Sequence, residues 1–103
     1  MPREVMMKRI TIVLMMMAVS LFAGKITGKI TDSRTGEPVA GANVYPLNVK
    51  GVGASTNLDG EYWIDGLQPG GYEMIVTHIA YASKVQRVDV GDGETELNFV
   101  LDA

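Results

Sequence analysis

The chain has 103 residues, twelve glycines, four prolines, no cysteine and a formal charge of −3, which bounds it to one domain and excludes both a disulfide framework and a thiolate metal site. A small domain without such staples must hold itself by packing alone. Arg3, Lys8 and Arg9 against Glu4 make the first 23 residues cationic and leave −5 on the remainder, and an acidic domain does not suit nucleic acid, whose phosphates demand a basic surface.

Residues 1–23 read as an export signal. Arg3, Lys8 and Arg9 precede an uncharged apolar run of thirteen residues, Ile10 to Phe22, shorter than the roughly 20 that a spanning helix needs. The run ends in small residues, Ala23-Gly24, as a peptidase site does. Cleavage is expected after Ala23, with a cut after Ser20 as the alternative and Met6 or Met7 as alternative starts. With no cysteine near residue 20, a lipidated lipoprotein is excluded.

The domain, residues 24–103, then reads as short strands. Ile26, Gly28 and Ile30 alternate with Lys25, Thr27, Lys29 and Thr31, a strand with one wet face, closed by a turn over Ser33 to Pro38. Ala42 to Val49 is the next extended run, with Val44 in the core and Pro46 at an edge or bulge, because proline cannot donate to a ladder. Gly51 and Gly53 bracket a break before a short strand, Ala54 to Thr56. Asp59-Gly60 is a tight turn in which Gly60 takes positive φ and Asp59 bonds its own backbone. Tyr62 and Ile64 alternate with Trp63 and Asp65, which turns Trp63 outward. Gly66 to Gly71 breaks the chain again: Pro69 fixes φ, and Gly70-Gly71 reverses direction.

Tyr72 to Ile79 is the most apolar run, predicted as a central strand covered on both sides, with Tyr72, Met74 and Val76 on one face and Ile75 on the other. Ala82 to Val90 carries Val85, Val88 and Val90 with a slip of one residue that implies a bulge. Gly91-Asp92-Gly93 is a hairpin-type turn, and Leu97, Phe99 and Leu101 mark a last strand. About seven short strands with frequent turns make an all-β sandwich, with no helix beyond that of the signal.

Five blocks carry a resemblance: Gly28 to Asp32; Thr35-Gly36-Glu37-Pro38-Val39-Ala40-Gly41-Ala42-Asn43-Val44; Thr56 to Tyr62; Leu67-Gln68-Pro69-Gly70-Gly71-Tyr72; and Ile79-Ala80-Tyr81. In motif and spacing they resemble the carboxypeptidase regulatory-like domain, with Ala80 standing where that family usually has glycine. The resemblance implies a seven-stranded Greek-key sandwich, similar to transthyretin and to carbohydrate-binding-like folds. Such domains occur beside metallocarboxypeptidase catalytic domains, as repeats in bacterial surface proteins, and behind the signal peptide of TonB-dependent outer-membrane receptors. The last arrangement is the one this chain is similar to. It implies a non-enzymatic exported module, the N-terminal domain of such a receptor or a truncated or stand-alone relative, periplasmic or outer-membrane associated or else secreted, whose partners are envelope or outer-membrane proteins and which meets a membrane only through the export signal or a receptor body. A carbohydrate-binding module, with glycan as partner, is the alternative, and an accessory domain for a metallocarboxypeptidase the lesser one.

The residues offer little for catalysis and imply no cofactor. His78 is the one histidine, within an apolar run, and no motif supplies it a carboxylate or a nucleophile. One histidine and no cysteine do not make a zinc set. Ser55, Asn57, Asp59 and Gly60 fall at the first, third, fifth and sixth positions of a calcium loop, but Gly66 stands where the bidentate Glu belongs, so these residues read as turn formers. Gly51-Val52-Gly53 and Gly70-Gly71 have no following helix to complete a phosphate site and read as turns. The acidic Asp89, Asp92, Glu94 and Glu96 read as a solvated rim. Trp63 remains as the candidate contact for a sugar face or a partner protein, with Tyr45 and Tyr81 as its candidate companions.

Overall fold

The computed structural model describes residues 23–103; all of the expected export signal but Ala23, including the alternative cut at Ser20, lies outside the described residues. Eight strands follow one another: β1 (Gly24–Asp32), β2 (Asn43–Pro46), β3 (Ala54–Ser55), β4 (Glu61–Leu67), β5 (Gly70–His78), β6 (Tyr81–Val90), β7 (Glu94–Glu96) and β8 (Phe99–Leu101). Among the described residues there is no helix. In the first sheet β1 is central, antiparallel to β4 on one side and parallel to β7 and then β8 on the other. The second runs β3-β2-β5-β6, antiparallel throughout.

Alternation fills the space between the layers. Ile26, Ile30, Tyr62, Ile64, Phe99 and Leu101 point inward from the first sheet, and Val44, Met74, Val76, Val88 and Val90 meet them from the second, each at most 8 % exposed. Thr56, the one buried polar residue among those described, donates to the Val39 carbonyl (2.7 Å) and accepts the Ala42 N–H (2.9 Å), which fixes the long β1–β2 connection against the end of β3.

The extra strand arises because the predicted last strand is two. Leu97 and Asn98 interrupt it: the Tyr62 hydroxyl donates to the Leu97 carbonyl, and the Asn98 side chain, not its backbone, accepts the Lys29 N–H (2.8 Å). A side-chain amide in place of a ladder acceptor lets the chain step out between β7 and β8. Gly28 makes this possible, since a Cβ there would overlap both the Leu97 carbonyl and the Tyr62 ring.

Other local expectations are corrected. The strand β5 is central in hydrogen bonding but covered on one face only, so Ile75 and Thr77 are half-buried on an outer surface; a two-layer sandwich has nothing to put there. Ile79 belongs to no strand and is fully exposed at the β5–β6 turn. The register of β6 runs unbroken from Val90 to Lys84, and its irregularity falls between Val76 and His78, so Val85 faces outward opposite Ile75 and no bulge separates it from Val88. The Gly70-Gly71 and Gly91-Asp92-Gly93 segments are not hairpins: β4 hands over to β5, and β6 to β7, by crossing between sheets. Pro46 lies in an interior strand, yet β3 ends opposite Val44, so the missing donor faces an unpaired side as its chemistry requires.

Candidate functional site

The outer face of the first sheet sets a group of polar side chains beside one aromatic. Pairing aligns Trp63 on β4 with Thr27 on β1 and Glu96 on β7 in a row across the strands. In the next row Glu61 stands opposite Lys29, and on the far side Lys25 stands opposite Glu94. These residues and Asn98 line a shallow open depression of about 390 Å³. Trp63 is 55 % exposed because Tyr62 and Ile64 take the inward positions on either side of it. No charged head of the depression has an ion-pair partner among the described residues, where the one ion pair joins Arg87 to Asp89 elsewhere. Asn98 Nδ2 donates to Glu96 Oε1 (2.8 Å) and Asn98 Oδ1 accepts the Lys29 N–H, while Lys25, Lys29, Glu61 and Glu94 form no ion pair among the described residues. An aromatic beside such donors and acceptors of both signs suits a ligand that is apolar on one face and hydroxylated at its edge.

Tyr45 and Tyr81 do not join this site. Tyr45 is 39 % exposed on the outer face of the second sheet, on the opposite side of the sandwich, in a row with Ile75 and Val85. That side offers a broader open hollow of about 700 Å³ between Tyr45, Gly53, Ser55 and Thr77.

Tyr81 belongs to a clasp at one end of the domain. Its hydroxyl donates to Asp32 Oδ2 (2.7 Å), while Asp32 Oδ1 accepts the Arg34 and Thr35 N–H groups (2.7 and 3.1 Å). The Tyr81 hydroxyl, then those two N–H groups, hold the Asp32 carboxyl below its ordinary value of 3.8, and the same carboxylate pushes the Tyr81 phenol up. His78 packs edge-on against Tyr81, centroids 5.2 Å apart. Its Nδ1 accepts the Ala80 N–H (3.0 Å), so Nε2 carries the proton and donates to the Ala40 carbonyl (3.1 Å). Both ring nitrogens are committed to backbone, which leaves no lone pair for general-base work. The bend at Ala80 is closed by this imidazole and needs no left-handed residue there.

At the turn before β4 the expected roles exchange. Gly60 has φ 74° and sits where a Cβ would crowd the Ile30 carbonyl, as its turn requires. The capping side chain, however, is Asn57 and not Asp59: its Oδ1 accepts the N–H groups of Asp59 and Glu61 (3.0 and 2.9 Å). Asn57 opens the turn and so reaches both donors, whereas the N–H of Asp59 is itself one of them. Pro69 occupies the exposed crossing between sheets, and Gly70 opens β5 with φ 153°. No group of three or more His, Asp or Glu among the described residues is placed to hold a metal ion.

Alternation along β1 identifies Lys25, Thr27 and Lys29 as wet, but it does not show which strands flank β1, so their assembly around Trp63 is legible only from the pairing. A profile of the carboxypeptidase regulatory-like domain matches residues 25–102. The chain belongs to that family. Among solved structures the domain is similar to a type II cohesin–X-dockerin complex from Acetivibrio cellulolyticus, at 23 % identity and TM-score 0.63 over 74 % of this chain and 52 % of that one. The pilus 2b backbone protein of group B streptococcus superposes with TM-score 0.61 at 19 % identity, over 77 % of this chain and 40 % of that one. A candidate carbohydrate-binding protein from Bacteroides uniformis gives 0.54 at 20 % identity, over 75 % and 40 %. The domain thus spans about half, or less, of these structures, and at such identity they share a β-sandwich with it. No curated protein sequence matches the chain.

Proposed function

We propose that the chain is a non-catalytic binding module of an exported protein and that it works through the Trp63 face of the first sheet. The observation that carries this is the placement of the single tryptophan, half-exposed on the edge strand of a sheet face whose lysines and glutamates have no ion pair among the described residues. In the Asp32–Tyr81–His78 cluster, by contrast, the polar heads are bonded to one another or to backbone. The charged N-terminus with its short apolar run supports export, and the family resemblance favours the envelope, as the N-terminal domain of a TonB-dependent receptor whose body is the partner. Several structural neighbours are by their descriptions pilus or cohesin–dockerin components, which agrees with a module built for attachment.

A second reading, a glycan-binding module, is favoured by the polar ring around the indole, since sugar hydroxyls take hydrogen bonds from both carboxylates and ammonium groups while their C–H face covers an aromatic. One experiment addresses both. Because Trp63 is the only tryptophan, its fluorescence reports directly on this face, and titration with envelope glycans and with a receptor plug domain should shift its emission for one of them. Emission unmoved by every glycan and by the plug domain removes the Trp63 face from consideration.

A further inference from the structure

The second sheet ends on a strand whose outer edge is open and whose charges complement themselves. The Leu47 N–H donates to the Glu73 carbonyl (2.9 Å), so on β5 the odd-numbered residues bond to β2 and the even-numbered ones to β6. Their β6 partners are Lys84, Gln86 and Val88. The N–H and C=O groups of Val85, Arg87 and Asp89 therefore point away from the sheet. Among the described residues the chain covers this edge only at its start, where the Ala82 N–H donates to the Asp102 carbonyl (2.8 Å) and Lys84 Nζ to the Val100 carbonyl (3.0 Å). From Val85 to Asp89 the edge is bare, on the longest strand of the domain.

We propose that this edge pairs antiparallel with the same edge of a second copy of the chain, in the register centred on Val88. In that register Arg87 of one copy stands opposite Asp89 of the other, and the two-fold axis repeats the pair. Both side chains are free to take part, with 69 % and 87 % of their surfaces exposed and a loose 3.9 Å contact between them within one chain. Centring the pairing on Arg87 or on Asp89 instead sets like charges directly against each other, which antiparallel neighbours do not tolerate well. Each Arg87–Asp89 pair exchanges both of its backbone hydrogen bonds, and the two sheets become one continuous sheet.

The edges at β4 and β3 lack this property. The strand β4 carries Glu61 and Asp65 on either side of Trp63, so pairing with itself about Trp63 opposes two carboxylates, and the Glu61 backbone is already bonded to Asn57. The strand β3 has two residues. Edge strands normally carry an unpaired charge that repels a second chain; on β6 the opposite charges select one.

Sedimentation velocity on the chain recovered in its exported form tests the proposal. The wild type should pass from monomer to dimer as concentration rises. Arg87→Asp and Asp89→Arg alone should each remain monomeric, and the two together should dimerise again, since the swap restores the pairs. Arg87→Pro removes an N–H that no neighbour in its own sheet uses, so it should abolish the dimer while the thermal transition is retained. A wild type that stays monomeric at every soluble concentration overturns the proposal. So does a dimer that survives Arg87→Pro, or one that the double swap fails to restore. The Trp63 face lies on the other sheet, and its fluorescence test is independent of this one.

Discussion

The Trp63 face and the Asp32–Tyr81–His78 clasp are built from the same kinds of residue, aromatics beside groups that ionise, and they differ in whether the polar heads have partners. In the clasp each has one: the phenol bonds the carboxylate, the carboxylate bonds two N–H groups, and both imidazole nitrogens bond backbone. On the Trp63 face Glu61, Lys25, Lys29 and Glu94 stand in opposed rows with no ion pair formed. Residue type alone would nominate the clasp, with its histidine, aspartate and tyrosine, as the chemical site. Satisfaction of the hydrogen bonds assigns it to architecture, and leaves the plainer lysines and glutamates as the surface without ion pairs among the described residues.

The comparison requires a rigid sandwich beneath both clusters, and the core gives the largest expected effect. Phe99, 1 % exposed and 6.4 Å from the Tyr62 ring, anchors β8 against the second sheet. Phe99→Ala should cost about 3–5 kcal/mol, enough to unfold a domain of this size in a denaturant titration. Tyr72, which the apolar run nominates equally, is half-buried at the rim with its hydroxyl on the Gln68 carbonyl (2.6 Å), so Tyr72→Ala should cost clearly less. Equal losses at the two positions would mean that Tyr72 carries more of the core than its exposure indicates.

Gly28 is the next test, because it underlies the Trp63 face. Its substitution by alanine drives a methyl into the Leu97 carbonyl and the Tyr62 ring. A backbone carbonyl held by a buried phenol does not swing aside, so the loss should reach the upper part of the roughly 1–3 kcal/mol usual for overpacking. A melting temperature unchanged in Gly28→Ala would show that the step between β7 and β8 is soft, and with it the ring of groups around Trp63.

What the chain discloses before folding follows from the range of the interactions. Period-two alternation is local, and it locates Ile26, Ile30, Tyr62, Ile64, Phe99 and Leu101 in the core and Trp63 outside it. The turn at Gly60 is equally local, although choosing Asn57 over Asp59 as its cap needs the hydrogen bonds themselves. The larger errors concern partners distant in sequence. Whether Val85 faces in or out depends on its register against Ile75, and the division of the last strand depends on Tyr62 and Lys29 reaching Leu97 and Asn98. The candidate site has the same limit: Trp63 is legible, whereas its neighbours Lys29 and Glu96 come from strands that pairing alone brings beside it.

The clasp makes a smaller contribution with a distinctive pH dependence. Asp32 titrates below its ordinary 3.8 in the folded chain, first because of the Tyr81 hydroxyl and then because of two backbone N–H groups. Since the folded value is the lower one, the stabilisation is complete above the unfolded value and drains away as pH falls below about 3.8 and through the folded one. Tyr81→Phe should lower the melting temperature modestly at neutral pH and flatten this acid limb, and Asp32→Asn should flatten it as well. A limb of unchanged slope in both variants would show that the clasp does not couple to folding.

The smallest effect on stability is expected at the residue of most interest. Trp63 buries little, and its outward side chain can be removed without opening the core, so Trp63→Ala should change stability by no more than about 0.5 kcal/mol, as surface substitutions do. Calorimetric binding of whichever glycan or receptor domain moves the tryptophan emission should be lost in the same variant. That pairing of a silent melting curve with abolished binding separates a recognition residue from a packing one, and it is the reverse of what the clasp should show, where Tyr81→Phe moves the melting curve and leaves binding intact. If Trp63→Ala instead unfolds the domain, the indole is part of the architecture, and the distinction between satisfied and unsatisfied clusters does not sort function from structure in this sandwich.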